Sequence, residues 1–126
     1  MKNFILLLLF ISLTLGCTAV KSGLTIPANE TFILGESNSK NYSAELANTS
    51  NYEVKIRSEK KQNGEYTQGF VLAPKSKVTV YVSSDEIIKF INNNNLPVKV
   101  NVKLNKAVPG MRYIKNRDPN WILISN

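Results

Sequence analysis

Tyr52-Glu53-Val54-Lys55-Ile56-Arg57 alternates apolar and charged side chains without a break. Successive residues of a β-strand point to opposite faces, so this stretch reads as a strand with one face in a core and the other in water. Asn63-Gly64 follows and is a hairpin signal, because tight turns need the positive φ that Gly and Asn tolerate. Tyr66 to Leu72 is then the returning strand. A two-residue loop would set Ile56 opposite Val71 and turn Phe70 and Leu72 toward the face of Lys55 and Arg57. A three-residue loop, Gln62-Asn63-Gly64, pairs Lys61 with Glu65, Ile56 with Phe70 and Val54 with Leu72. A slip of one residue turns every side chain over, so burial selects the second register. Gly64 is expected in the left-handed region, as a bulge after a type I turn.

Outward from this hairpin the same period recurs. Tyr42, Ala44 and Leu46 alternate with Ser43 and Glu45. Val78, Val80 and Val82 alternate with Thr79 and Tyr81, and Val98, Val100, Val102 and Leu104 with Lys99, Asn101 and Lys103. Pro97 stands at the start of that last run, where a strand tolerates it. Glu30 to Leu34, Met111 to Ile114 and Trp121 to Ile124 are shorter segments, and Pro109-Gly110 is a type II turn signal. Ser83 to Asn92 is open between two forms. Ser83 and Glu86 have capping-box spacing, with Ile87, Ile88 and Ile91 on one helical face. Ile88, Phe90 and Asn92 instead share one face of a strand, which the short, β-branched segment favours. The sum is seven to nine short strands and no long amphipathic helix. That pattern predicts an all-β domain, an antiparallel β-sandwich, with immunoglobulin-like topology as one form. The Cys-Trp-Cys core of true immunoglobulin domains is absent.

The N-terminus is of another kind. Lys2 is followed by the apolar run Phe4 to Ile11 and then by small residues to Gly16, the layout of a secretory signal peptide. The run is shorter than the about 20 residues that span a bilayer. Leu13-Thr14-Leu15-Gly16-Cys17 resembles the lipobox of bacterial lipoproteins. Gly16 fits the position before the cysteine, Leu15 is larger than the usual small residue, and Thr14 stands where Leu is commonest. The resemblance covers only about the first 17 residues. It implies that Cys17 carries the lipid after cleavage before it, and Thr18 in the next position implies the outer membrane. The alternative is an ordinary cleavage site with an incidental cysteine. Lipidation accounts for a lone cysteine that has no partner for a disulfide. The expected organisation is a signal peptide over 1–16, an acylated tether over 17–28 and a sandwich over 29–126.

Chemistry is sparse. The chain has no histidine, which removes the usual general base, the commonest transition-metal ligand and every Ser-His triad. Asp85 and Asp118 are the only aspartates, and the glutamates are scattered. No phosphate loop, dinucleotide fingerprint or calcium loop is present, so neither enzyme nor cofactor is expected. Lys and Arg outnumber Asp and Glu by 16 to 9, or 15 to 9 once Lys2 leaves with the signal, a charge of +6. A basic exported protein favours anionic partners, and export argues against nucleic acid.

The candidate ligand-binding residues are Arg112, Tyr113, Lys115, Arg117 and Trp121, cations interleaved with aromatics. Such a segment can grip an anionic polymer or glycan, or can be a loop whose aromatics cap the core. The leading expectation is a lipid-anchored, non-enzymatic accessory subunit that binds another envelope protein. A binder of an anionic envelope polymer and an inhibitor or immunity lipoprotein are the alternatives.

Overall fold

The computed structural model describes residues 20–116. Nine strands follow one another: β1 (Val20–Ile26), β2 (Glu30–Leu34), β3 (Tyr42–Asn48), β4 (Val54–Lys60), β5 (Tyr66–Leu72), β6 (Lys77–Val82), β7 (Glu86–Ile91), β8 (Val98–Leu104) and β9 (Met111–Lys115). They form two antiparallel sheets, ordered β1-β8-β3-β6 and β5-β4-β7-β2-β9. Helix is absent among the described residues.

The β4–β5 hairpin organises the whole chain. β3 pairs with β6, β2 with β7 and β1 with β8, so residues about equally far from the hairpin turn meet. Val54 faces Leu72, Tyr42 faces Val82, Thr31 faces Ile91 and Ile26 faces Val98. The chain is one long antiparallel ribbon, rolled so that successive strand pairs lie in opposite sheets. That is the jelly-roll order. In an immunoglobulin sandwich the first two strands are neighbours in one sheet. Here β1 and β2 lie in different sheets, so the sandwich stands and the immunoglobulin-like form does not.

Alternation decides what is buried. Tyr42, Ala44 and Leu46, Val54 and Ile56, Ile88 and Phe90, and Val98 to Leu104 at every second residue form one core between the sheets. Within Ser83 to Asn92, Glu86–Ile91 is strand β7, and Ile88, Phe90 and the following Asn92 are buried. The capping-box pair is nevertheless used. Glu86 Oε1 accepts the Ser83 N–H at 3.0 Å, and the Glu86 N–H donates to the Ser83 carbonyl at 3.0 Å. The motif closes a turn into a strand instead of starting a helix.

The hairpin register is the one burial requires: Ile56 faces Phe70 and Val54 faces Leu72. Gly64 is left-handed, with φ 70°. The turn itself differs from expectation. Residues 61–64 form a four-residue loop, closed by the Gly64 N–H donating to the Lys60 carbonyl at 2.8 Å. The register shifts between Ser58 and Glu59, which leaves Thr67 as the extra residue of β5. The bulge therefore sits in the strand, where it aims the Thr67 hydroxyl at the buried Glu86 carboxylate.

The expected tether over 17–28 is corrected. Val20–Ile26 is β1, paired along its length with β8, so these residues belong to the sandwich and not to a tether. Ser22 and Gly23 mask a period-2 pattern in which Leu24 and Ile26 face the core. Strand β4 starts at Val54, with Tyr52 outside it and exposed.

Candidate functional site

Of the expected ligand-binding residues, Arg112, Tyr113 and Lys115 lie on β9, while Cys17, Arg117 and Trp121 lie outside the described residues. β9 adds to the outer edge of β2, with Phe32 opposite Tyr113 and Leu34 opposite Met111. Its start is fixed by Gly110, which has φ 89° and leaves no room for a Cβ against the Ser37 nitrogen, 2.5 Å from where that atom would be. The Gly35 N–H donates to the Gly110 carbonyl at 2.8 Å.

These side chains are largely engaged within the protein. The Arg112 guanidinium forms a two-pronged pair with Glu36, at 2.6 and 3.0 Å. That hydrogen bond holds the Glu36 carboxyl below its ordinary range. Tyr113 packs on Phe32, ring centroids 5.1 Å apart, and its hydroxyl donates to the Thr25 carbonyl at 3.0 Å. Burial raises the pKa of the phenol. Lys115 stands opposite Glu30.

What the arrangement leaves open is an edge. β1 ends one sheet and β9 ends the other. Between them lies a cleft of about 250 Å³ lined by Ser22, Leu24, Phe32, Leu34, Met111 and Tyr113 among others. Along β1 the inward side chains pass from exposed Ser22 through half-buried Leu24 to buried Ile26, so the sandwich gapes toward the N-terminal end of β1. On the facing strand the inward Met111 and Tyr113 are 59% and 44% exposed, large apolar groups that a closed sandwich would bury.

A second feature lies on the outer face of the β1-β8-β3-β6 sheet. Its outward positions carry Lys21, Lys77, Lys99 and Lys103 against one carboxylate, Glu45. Gly23, Ala47 and Asn101 give this face a low floor, and a depression of about 450 Å³ opens over them. Lys21 and Lys103 stand directly opposite one another across β1 and β8. Like charges so placed are destabilising. On the other sheet three cations are matched: Arg57 and Lys89 lie 2.7 and 2.9 Å from Glu59, and Arg112 pairs with Glu36.

Neither feature was read from sequence. Leu24 sat in an expected tether, and the lysine face assembles only when β1, β8, β3 and β6 are known to be neighbours. The signal available was the row of lysines at outward positions of predicted strands.

No protein-family model matches the chain, and no curated protein does. Solved structures do. Peruvianin-I, a cysteine peptidase from Thevetia peruviana latex, superposes with a TM-score of 0.55 at 11% identity, over 79% of this chain and 58% of that one. RmlC from Streptococcus suis, in complex with dTDP-D-xylose, gives 0.54 at 14% identity, over 73% of this chain and 46% of its own. Bacillus subtilis oxalate decarboxylase gives 0.54 at 8% identity, over 89% of this chain and 29% of its own. These likenesses show the fold alone. This chain spans well under two-thirds of each. The sequence has no histidine, and the described residues hold no group of three metal-ligating side chains.

Proposed function

We propose that the protein is an envelope lipoprotein, anchored through acylated Cys17, whose jelly roll is a non-enzymatic binding module. It docks as an accessory subunit on another envelope protein. The outer membrane is the site that Thr18 favours by resemblance to lipoprotein sorting. The observation that carries the docking is the cleft between β1 and β9. Among the described residues neither strand pairs with a further strand at this edge, where the Tyr113 hydroxyl meets the Thr25 carbonyl, and a strand edge is a template for a strand from another chain. The cleft between them is apolar, so the occupant is an extended partner segment with alternate apolar side chains. One side chain enters against Leu24 and Phe32 while the partner's backbone bonds to an edge. A polymer gripped by Arg112 and Tyr113 is the weaker reading, because both groups are already paired within the protein.

Two experiments test this. Labelled palmitate should enter the parent and not the Cys17→Ser chain; incorporation by both removes the anchor. A photo-reactive residue in place of Met111 should give one discrete protein adduct in intact envelopes. Ser22→Trp, which fills the mouth of the cleft from an exposed position, should abolish that adduct and leave the fold intact. No adduct, a polymer adduct, or one indifferent to Ser22→Trp removes the docking.

A further inference from the structure

We infer that the outer face of the β1-β8-β3-β6 sheet is a second binding site, and that its ligand is the anionic headgroup surface of the membrane. The inference rests on the anchored reading for its geometry, though not for its chemistry.

Three observations converge on it. The first is charge. Lys21, Lys77, Lys99 and Lys103 share the face with Glu45 alone, and Lys77 lies 3.9 Å from that carboxylate. Among the described residues Lys21, Lys99 and Lys103 have no carboxylate at ion-pair distance, whereas Arg57, Lys89 and Arg112 on the opposite sheet do. Lys21 and Lys103 face one another, a like-charge pair, and the one carboxylate of the face, Glu45, stands on the other side of Lys103 on β3.

The second is shape. The face is broad and shallow, floored by Gly23, Ala47 and Asn101, so ammonium groups on long stems can reach a flat surface together. Tyr81, 74% exposed, stands beside this lysine row opposite Ser43. An aromatic ring with a polar tip suits the boundary between headgroups and water.

The third is reach. β1 begins at Val20, three residues after Cys17. An extended chain spans at most about 3.6 Å per residue, so in an anchored protein Val20 lies within about 11 Å of the acylated residue. Lys21 is the next residue along. A domain held so close presents some face to the headgroups, and this one is complementary in charge. Polybasic segments bind anionic leaflets by about 1 kcal/mol per lysine or arginine near the surface.

The shared chemistry is phosphate recognition, and the proposal commits to the lipid surface. The test uses the chain from residue 17 onward with Cys17→Ser, which has no acyl chain and keeps every strand. It should sediment with phosphatidylcholine vesicles containing phosphatidylglycerol and not with phosphatidylcholine alone. Binding should weaken steeply with added salt, since exposed charges are screened beyond about 8 Å at physiological ionic strength. Lys21→Gln, Lys99→Gln and Lys103→Gln together should lower partitioning roughly 100-fold, at about 1 kcal/mol for each lysine. Lys55→Gln on the opposite sheet should leave it unchanged, and the triple variant should melt no lower than the parent. Equal binding to neutral vesicles, retention by the triple variant, or abolition by millimolar inorganic phosphate at constant ionic strength would overturn the inference. None of these outcomes depends on whether Cys17 is acylated, which labelled palmitate decides separately.

Discussion

Asn92 should be the most sensitive polar residue in the domain. Its side chain is fully buried. Its Nδ2 lies 3.1 Å from the Ile26 carbonyl, 3.0 Å from that of Pro27 and 2.9 Å from that of Leu96. Its Oδ1 accepts the Asn94 N–H at 2.9 Å and Asn94 Nδ2 at 2.8 Å. One amide thus ties the β1–β2 loop to the β7–β8 loop. Asn92→Ala removes all of these bonds and takes a buried donor from the Ile26 carbonyl, while the Pro27 carbonyl keeps the Glu30 N–H at 3.2 Å. A net hydrogen bond is worth about 1 kcal/mol, and an orphaned buried group costs about 1–3 kcal/mol. The expected loss is therefore about 3–5 kcal/mol, a large share of the about 5–15 kcal/mol that holds a typical domain. At about 4 °C per kcal/mol for a domain of this size, the melting point should fall by about 12–20 °C. Urea unfolding followed by far-UV circular dichroism measures it, and the midpoint should move with the slope unchanged. Asn95→Ala is the control: Asn95 is exposed and holds one long contact, 3.4 Å from Asn29, so its loss should stay within about 0.5 kcal/mol. An Asn92→Ala cost below about 1 kcal/mol, or one equal to that of Asn95→Ala, would refute the reasoning.

Two further substitutions test other parts of the frame. Burial alone would raise the Glu86 carboxyl, but the Thr67 hydroxyl, the Ser83 N–H and Lys60 more than offset it and hold the group below its ordinary 4.5. A carboxyl lowered on folding contributes stability above its unfolded value and loses it as pH falls through the folded one. Glu86→Gln should therefore destabilise at neutral pH, and the gap from the parent should close as pH drops below about 4.5; a gap that is constant with pH would exclude this role. Tyr42 is buried and its hydroxyl has no partner among the described residues, burial and then Glu86 pushing its pKa well above the ordinary range. Tyr42→Phe should then be neutral or stabilising by up to about 1 kcal/mol, because an unpaired buried hydroxyl is a cost; a thermal melt lowered beyond error would show an unseen partner.

Most of the strands were legible because burial on one face imposes a period of two. β3, β4, β6 and β8 announce themselves by that alternation. β1 does not, because the groove-facing Ser22 and the floor residue Gly23 carry no hydrophobic signal. The sheet order was hidden for a different reason. Alternation says that a strand has an inside, and is silent on which strand lies beside it. The hairpin register was readable from side-chain burial. The length of its turn was not, since a bulge at Thr67 absorbs one residue and restores the same pairing below. Asn92 was legible as sharing a strand face with Ile88 and Phe90. Only three-dimensional proximity shows Asn92 bonding to the chain at Ile26 and Pro27. The aromatic and basic residues of β9 were visible, but their use was not. Glu36, which neutralises Arg112, is 76 residues away in sequence.

The two proposed surfaces meet on one strand. Alternation along β1 sends Lys21, Gly23 and Thr25 to the cationic face and Ser22 and Leu24 to the cleft. β1 is also the first strand after Cys17. If the lysine face lies on headgroups, the free edge of β1 lies low and the edge of β9 stands across the cleft from it. A partner strand reaching the cleft would then run near the bilayer, roughly along it. That arrangement favours a membrane-associated partner over a freely diffusing one. The two sites are separable because the lysines and the apolar cleft residues lie on opposite faces of β1, with Ser22 bordering both. Losing the face should leave an anchored protein able to bind its partner in a wider range of orientations, with the Met111 adduct broadened and not abolished. Filling the cleft should leave vesicle binding untouched. A variant at Ser22 that also lost vesicle binding would mean that the two surfaces are one.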